Sequence, residues 1–325
     1  MAFVLVILAG VAAISAVPPR TDGELPARIS EQLGAAAPVD VVVLGNSVAA
    51  SGIDVSVVRD RMAAQSQRVA VLAHNGTFAG HWFLELRDHV FGAGHRPRVV
   101  VFYANTAMFI INLGVDAMAR QMYFELAGAD DPLVVERVYG SSAVVATRER
   151  ALDARVQARD ALLDTVVNRA VAAVHGGSGA ARVRTAASQL LSYGQQGGGG
   201  FSVSQPMQPG KPQAAVVPVL FVRELAELAR ANGARAVFVL APQYTGGRCA
   251  SQPGSQLPRE ITSAGADLID MTCTPLPADC FVDSFHVAPA CVRTTTDALL
   301  DALTRSGALE GERDGPPIQV VVDSL

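Results

Sequence analysis

Short apolar runs alternate with stretches of helical periodicity along the first hundred residues. Residues 41–44, 69–72 and 99–103 are rich in valine and carry no charge, which is typical of strands buried on both faces of a parallel sheet. Residues 53–64 and 82–91 place apolar side chains at helical spacing instead. Three strands separated by two helices predict an α/β domain with a doubly wound parallel sheet.

The same alternation returns near the C-terminus. The pattern predicts a helix over residues 219–231, strands over 236–240 and 267–271, and a last helix over 289–303. The apolar residues 318–322 are a candidate edge strand. Between the two halves, residues 115–200 are rich in Ala, Arg, Leu and Val and predict a helical insertion. The glycines at 197–200 are not followed by Gly-Lys-Ser/Thr, so they do not form a phosphate-binding loop.

The N-terminus predicts export or anchoring. Residues 2–17 are uncharged and end at a Pro-Pro pair, which resembles a signal-peptide core and is short for a spanning helix. A buried core helix is the alternative. We expect residues 1–20 to be a signal peptide or N-terminal membrane anchor, 21–37 a linker, 38–306 the α/β domain with its insertion, and 307–325 a tail. The expected location is extracytoplasmic, in the periplasm or at the cell surface.

The composition of the chain limits which classes of function remain. Half of the 325 residues are hydrophobic, 17% are charged and the formal net charge is −4, so nothing favours nucleic-acid binding. The four cysteines Cys249, Cys273, Cys280 and Cys291 form no Cys-x-x-Cys pair and have no histidine at zinc-finger spacing, so we expect no metal and no cofactor. In an exported chain they predict two disulfides, with three possible pairings. Free thiols are the alternative for a cytosolic chain.

The sharpest chemical signal is Gly45-Asn46-Ser47, directly after the first predicted strand. A serine at the carboxyl end of a parallel strand lies where open α/β sheets bind ligands. A helix beginning there would direct free N–H groups at a developing oxyanion. Gly-Asn-Ser is also ordinary turn chemistry, so this stretch alone does not establish a nucleophile.

A second signal, Asp283-Ser284-Phe285-His286, lies before the last predicted helix. Its spacing lets one short turn present both side chains to one point, where His286 would take the Ser47 proton and Asp283 would orient the imidazole. The backbone N–H of Ser47, a glycine N–H from Gly76 (or, second, Gly80) and the Asn105 amide are candidate oxyanion-hole donors. An α/β-hydrolase elbow fits poorly, because Gly45-Asn46-Ser47-Val48-Ala49 lacks the second glycine of Gly-x-Ser-x-Gly.

Gly45-Asn46-Ser47, Gly76, Asn105 and Asp283–His286 follow one another along the chain. In this order they resemble the sequence blocks of the SGNH (GDSL-like) hydrolase family, and the resemblance covers residues 38–112 and 213–304. The resemblance implies a three-layer α/β/α fold with a parallel, flavodoxin-like sheet of about five strands, catalytic Ser47, His286 and Asp283, and an oxyanion hole from Ser47, Gly76 and Asn105. Two positions depart from the family pattern: Asn46 replaces its aspartate, and Tyr103-Ala104-Asn105-Thr106 replaces its Gly-x-Asn-Asp. The N-terminal segment and the insertion resemble the branch of membrane-anchored O-acyltransferases of bacterial surface polysaccharides.

Two functions follow as expectations. The first is an exported serine esterase or O-acyltransferase acting on O-acyl groups, chiefly O-acetyl, of a glycan through an acyl-serine intermediate. Its substrate would be an acylated glycan or a small acyl ester, and a membrane protein is a candidate acyl donor. The alternative is a catalytically inactive SGNH-like surface protein that serves as a glycan-binding or assembly module. The sequence leaves open the acyl chain, the acceptor, and hydrolysis against transfer.

Overall fold

The computed structural model describes residues 24–110, 122–123, 125–127, 131, 221–244, 256–310 and 316–323. The sheet belongs to a compact unit formed by Gly23–Asn112 together with Val216–Leu325. Most of the predicted insertion at 115–200 and the whole apolar segment at 2–17 lie outside the described residues.

Six parallel strands form one sheet in the order β2-β1-β3-β4-β5-β6. The strand bounds are β1 Val41–Gly45, β2 Val69–Ala73, β3 Val99–Ala104, β4 Arg235–Leu240, β5 Asp267–Asp270 and β6 Gln319–Val321. Gly45, the last residue of β1, pairs with Ala73 on one side and with Tyr103 on the other. The carboxyl ends of the three N-terminal strands are therefore level, and the loops that follow them start along one edge of the sheet.

Helices connect successive strands, as parallel pairing requires. Their bounds are α1 Glu24–Ala35, α2 Ser47–Gly52, α3 Val55–Ala63, α4 Ala79–Leu84 (continued by a π-helical stretch, Glu85–Phe91), α5 Ala107–Ile110, α6 Val222–Ala231, α7 Gln256–Ser263 and α8 Val292–Arg305. Short 3₁₀ turns lie at Ala278–Cys280, Pro289–Cys291 and Ala308–Glu310.

The helices cover both faces of the sheet. On one face α2, α3 and α8 enclose a core that includes Val41, Val43, Val101 and Val239. On the other face lie α1, which packs on β2, and α6 and α7, which pack on β4 and β5. Because β1 and β3 are buried along their whole length, their side chains are apolar on both faces. The predicted three-layer, parallel α/β fold is confirmed, with six strands rather than about five.

One expectation at the ends of the domain is corrected and another is confirmed. The stretch predicted as a linker at 21–37 contains α1, because Leu25, Ile29 and Leu33 recur every four residues and are buried as one stripe. The stretch predicted as a tail at 307–325 supplies the sixth strand, β6, which pairs with β5 and brings Val322 into the core. The candidate edge strand at 318–322 is thereby confirmed as part of the sheet.

No helix within the described ranges is long and apolar enough to cross a membrane. The predicted N-terminal anchor is not among those ranges and stays a prediction.

Candidate active site

Ser47 is the first residue of α2 and stands directly beyond the buried end of β1. Asn46 caps this helix: its Oδ1 accepts a hydrogen bond from the Val48 N–H at 3.0 Å. Asparagine is among the preferred N-cap residues, so it performs here the capping task that an aspartate would perform. The Ala50 N–H is bonded to the Asn46 carbonyl, whereas within the described residues the Ser47 N–H has no hydrogen bond. That N–H is therefore available to a ligand.

Gly45 is required for a reason that the sequence did not show. A Cβ built at this position would collide with the Ala49 side chain of α2 and would lie 2.7 Å from the Tyr103 carbonyl oxygen of β3. The absent side chain lets α2 start close above the strand ends, which fixes the height of Ser47 over the sheet. Close packing therefore explains the need for glycine at this position.

His286 reaches Ser47 from a turn 239 residues further along the chain. Its Nε2 lies 2.9 Å from Ser47 Oγ, and its Nδ1 lies 2.7 Å from Asp283 Oδ2. A carboxylate only accepts hydrogen bonds, so Asp283 selects the tautomer with a proton on Nδ1. Nε2 is then left with a lone pair to accept the Ser47 hydroxyl proton. The structure thus joins the three residues that the sequence singled out.

Asp283 is held by three hydrogen bonds. Its Oδ1 accepts the N–H groups of Phe285 at 2.8 Å and of His286 at 2.9 Å, while Oδ2 faces the imidazole. Partial burial by itself would raise the pKa of Asp283, but these hydrogen bonds and the His286 ring outweigh it and lower the pKa below its ordinary value. The carboxylate therefore stays ionised at neutral pH and keeps its hold on the imidazole.

Residues 281–287, which we call the histidine turn, are closed by local bonds and one covalent link. Phe281 pairs with Val287 in an isolated antiparallel bridge, and the Val282 N–H donates to the His286 carbonyl at 2.9 Å. A disulfide joins Cys280 to Cys291 across the base of the turn, with Cα atoms 5.4 Å apart. The prediction of disulfides is confirmed for this pair; Cys273 is also disulfide-bonded, and Cys249 lies outside the described residues.

The other oxyanion-hole candidates follow β2 and β3. Gly76 is the third residue of a turn from His74 to Thr77 and has a φ of +80°, a conformation that favours glycine. Thr77 ties this turn to the end of β1, because its hydroxyl lies 2.7 Å from the His74 carbonyl oxygen and 3.0 Å from the Gly45 carbonyl oxygen and can donate its one proton to either. Gly80, the second choice, is buried within α4.

Asn105 is 3% exposed and caps α5, where its Oδ1 accepts the Met108 N–H at 3.2 Å. This contact fixes the amide plane and leaves the side-chain NH₂ group as a donor. Ser47, Gly76 and Asn105 thus follow three neighbouring strands at one edge of the sheet. Their role as a joint hole stays a prediction.

Sequence reasoning missed the loop after β4. Gln243 donates from Nε2 to Thr106 Oγ1 at 3.3 Å, and the Tyr244 N–H donates to the Ser284 carbonyl at 3.1 Å. This loop therefore links Thr106, which follows Asn105, to the histidine turn. The only signal in the sequence was a polar residue following a strand, and the contact partners are about 40 to 140 residues away in the chain.

A cavity of about 410 Å³ lies between the start of β4 and the start of β5, where Arg235 is ion-paired with Asp267. That is the amino-terminal edge of the sheet, opposite Ser47, so the cavity is not part of the candidate active site. Among the residues the structure describes, no cluster of His, Cys, Asp and Glu could hold a metal ion.

Comparisons with known proteins add little. No protein-family model matches the chain, and no curated protein matches it. A solved structure described as "Crystal Structure of TesA" is similar to it at 13% sequence identity, over 82% of this chain and 98% of that chain, with a TM-score of 0.34. A likeness this distant gives no information about activity. The activity is therefore inferred from the geometry of Ser47, His286 and Asp283.

Proposed function

We propose that the chain is a serine esterase or O-acyltransferase of the SGNH type. The single observation that carries the proposal is the 2.9 Å contact between Ser47 Oγ and His286 Nε2, with Asp283 bound to the opposite ring nitrogen. Nucleophile, base and orienting acid in this arrangement define covalent acyl-transfer chemistry. The SGNH assignment is supported by the order of the site residues along the chain. Ser47, Gly76 and Asn105 each follow a strand, and Asp283–His286 precedes the last helix.

The chemistry proceeds in two halves. Ser47 Oγ attacks the ester carbonyl carbon while its proton moves to His286 Nε2, and the negative charge forms on the carbonyl oxygen. The N–H groups of Ser47 and Gly76 and the Asn105 amide stabilise that oxyanion. The carbon–oxygen bond then breaks, the alcohol leaves with the proton from His286, and an acyl-Ser47 ester remains. Water in an esterase, or a sugar hydroxyl in a transferase, then attacks the acyl carbon and loses its proton to His286. The bond between the acyl carbon and Ser47 Oγ breaks, and His286 returns the proton to Ser47 Oγ.

The acylated group is, in this proposal, an O-acetyl or other short O-acyl group on a glycan. The Asp283 side chain is 50% exposed and the His286 side chain 32% exposed, so the site is open on the side of the histidine turn. An open site admits a large polymeric substrate, whereas a long acyl chain is usually bound in an enclosing pocket. This supports a short acyl group on a bulky carrier.

We further propose that the chain works outside the cytoplasm. The Cys280–Cys291 disulfide is of the kind that persists in oxidising compartments. The apolar residues 2–17 would direct export or provide a membrane anchor, and an anchored transferase would take its acyl group from a membrane donor protein.

Hydrolysis of an aryl acetate by the purified full chain tests the proposal. Ser47→Ala should lower the rate at least about 10³-fold, because a lost nucleophile leaves only the contribution of binding and the oxyanion hole. Ser51→Ala is the matched control: Ser51 lies in the same helix, its hydroxyl donates to the Val48 carbonyl, and its loss should leave full activity. Circular dichroism verifies that all three proteins are folded.

The rival function is the non-catalytic glycan-binding or assembly module. Equal background rates for folded wild type and Ser47→Ala, with and without an added sugar acceptor, would contradict the enzyme and favour that module. If Ser47-dependent turnover is found, the ratio of free acetate to acetylated sugar distinguishes hydrolysis from transfer.

A further inference from the structure

The loop after β4 lies on the rim of the candidate active site. On one side the Gln243 amide binds the Thr106 hydroxyl, next to Asn105; on the other the Tyr244 N–H binds the Ser284 carbonyl inside the histidine turn. These two hydrogen bonds place Gln243 and Tyr244 between an oxyanion-hole candidate and the catalytic base. A ligand bound to this loop would therefore lie beside the ester that Ser47 attacks.

Apolar surface is exposed at this rim. Among the described residues, three large hydrophobic side chains are exposed: Tyr244 (48%), Val282 (71%) and Val321 (48%). Val321 is on the edge strand β6, but Tyr244 and Val282 both adjoin Asp283 and His286. A single exposed apolar residue is ordinary, whereas two that flank the same catalytic turn suggest a binding surface.

The Tyr244 ring is backed by a second aromatic ring. Its centroid lies 5.9 Å from that of Phe281, with the planes tilted by 46°, and Phe281 is itself fixed by its bridge to Val287. Tyr244 is also fixed through its backbone N–H, so its position loses little freedom when a ligand binds. Tyrosine offers a large, rigid, amphipathic contact area, which suits a ligand with one apolar face and polar edges.

We propose that Tyr244, supported by Phe281, is a platform on which a pyranose ring of the glycan substrate stacks. The Gln243 amide and the Thr106 hydroxyl lie next to it and supply hydrogen-bonding groups for sugar hydroxyls. An acyl chain is the less suitable occupant, because these side chains are exposed rather than arranged as an enclosed pocket. This inference rests on the proposed function and specifies the part of the substrate that the site recognises.

The test compares an ester on a sugar with an ester that has no ring. For the full chain, Tyr244→Ala should lower kcat/KM for glucose pentaacetate about tenfold, mainly through KM, which corresponds to about 1.4 kcal/mol of lost binding free energy. Hydrolysis of ethyl acetate should change less than about twofold, because that substrate does not reach the platform. Tyr244→Phe keeps the ring and the backbone N–H, so it should retain most of the selectivity for the sugar ester.

Three results would overturn the platform. Equal losses on both acetates would show that Tyr244 acts only by bracing the histidine turn. No loss on glucose pentaacetate would show that the ring is not used. A loss confined to ethyl octanoate would assign Tyr244 to an acyl chain.

A binding measurement separates this inference from the proposed function. Saturation-transfer NMR with glucose pentaacetate on Ser47→Ala needs no turnover, and adding Tyr244→Ala should remove most of the signal from the sugar ring protons. Tyr244-dependent binding without Ser47-dependent hydrolysis would overturn the enzyme and keep the platform. Ser47-dependent hydrolysis of ethyl acetate without Tyr244-dependent binding would overturn the platform alone.

Discussion

Ser47 and His286 share a hydrogen bond, yet they are held in place in different ways. Ser47 extends from β1, whose five residues are all buried, and its height is set by the close packing of Gly45 against α2 and β3. His286 lies on a turn in which Val282, Asp283 and Ser284 are exposed. That turn depends on local hydrogen bonds and on the Cys280–Cys291 disulfide.

The difference separates stability from activity. A change beneath Ser47 disturbs a closely packed interior, where even one added carbon is costly. A change in the histidine turn touches few core contacts, so the fold should survive while the geometry of catalysis is lost. Substitutions on the two sides should therefore differ in whether they reduce mainly stability or mainly activity.

Asp283→Asn should show the largest effect on activity with little effect on the fold. An amide in place of the carboxylate can present a donor to Nδ1, which favours the wrong tautomer of His286 and removes the stabilisation of the imidazolium. We expect kcat on an aryl acetate to fall about 10³-fold, with a melting temperature close to that of the wild type. Steady-state kinetics and thermal unfolding are the measurements, and a kcat within tenfold of the wild type would refute the role of Asp283.

Gly45→Ala should show its main effect on stability, because it changes a closely packed interior. The added Cβ meets Ala49 and the Tyr103 carbonyl, and neither can move without displacing α2 or β3. We expect the free energy of unfolding to fall by about 3 kcal/mol in denaturant titration. Gly34→Ala is the matched control, because a Cβ at Gly34 in α1 meets nothing within 4 Å. It should raise stability by up to about 1 kcal/mol; equal effects of the two substitutions would contradict the packing argument.

Removing the Cys280–Cys291 disulfide tests how the histidine turn is held in place. In the Cys280→Ser/Cys291→Ser variant the histidine turn gains freedom, so kcat should fall about tenfold or more while KM changes little. Losing the cross-link should also lower the unfolding free energy by about 3 kcal/mol, but this loss comes from the greater freedom of the unfolded chain and not from the packing of the folded one. Kinetics well below the melting temperature separate the two effects. An unchanged kcat in the folded variant would show that hydrogen bonds alone position His286.

The smallest expected effect is a change in stability with pH that arises from His74. This residue is buried, like those beneath Ser47. Burial, together with the nearby charge of Arg28, lowers its pKa from 6.5 to about 4, and its Nε2 has no hydrogen-bond partner among the residues that the structure describes. Between these pKa values the unfolded chain binds a proton that the folded chain does not, so stability falls as the pH falls. We expect a loss of about 1 kcal/mol between pH 7.5 and 5.5 that is absent from His74→Gln. The same pH dependence in both proteins would place its origin elsewhere.

Much of the sheet could be predicted because its strands carry a strong local signal. The valine-rich runs of β1, β2 and β3 are apolar on both faces, which leaves few alternatives to a buried parallel strand. Helix α1 was missed because its charged and polar residues suggested a linker, although the spacing of Leu25, Ile29 and Leu33 was a usable signal. No comparable local pattern marked the π-helical stretch Glu85–Phe91.

The candidate site was predictable where chemistry is carried by residue type and order, as for Ser47, Asp283 and His286. It was not predictable where contacts join distant parts of the chain. The Tyr244 N–H meets Ser284 only after β4 and β5 have paired, and the need for glycine at 45 arises from Tyr103 on a neighbouring strand. Tertiary contacts of this kind leave no pattern in the local sequence.

Covalent labelling would identify the nucleophile. A fluorophosphonate reacts with an activated serine by forming an oxygen–phosphorus bond and releasing fluoride, and mass spectrometry of the digested chain locates the adduct. We expect one adduct on the peptide that contains Ser47, none in Ser47→Ala, and labelling slowed by orders of magnitude in His286→Ala. A folded wild-type chain that remains unlabelled, or that is labelled at another serine, would contradict the assignment of Ser47 as the nucleophile.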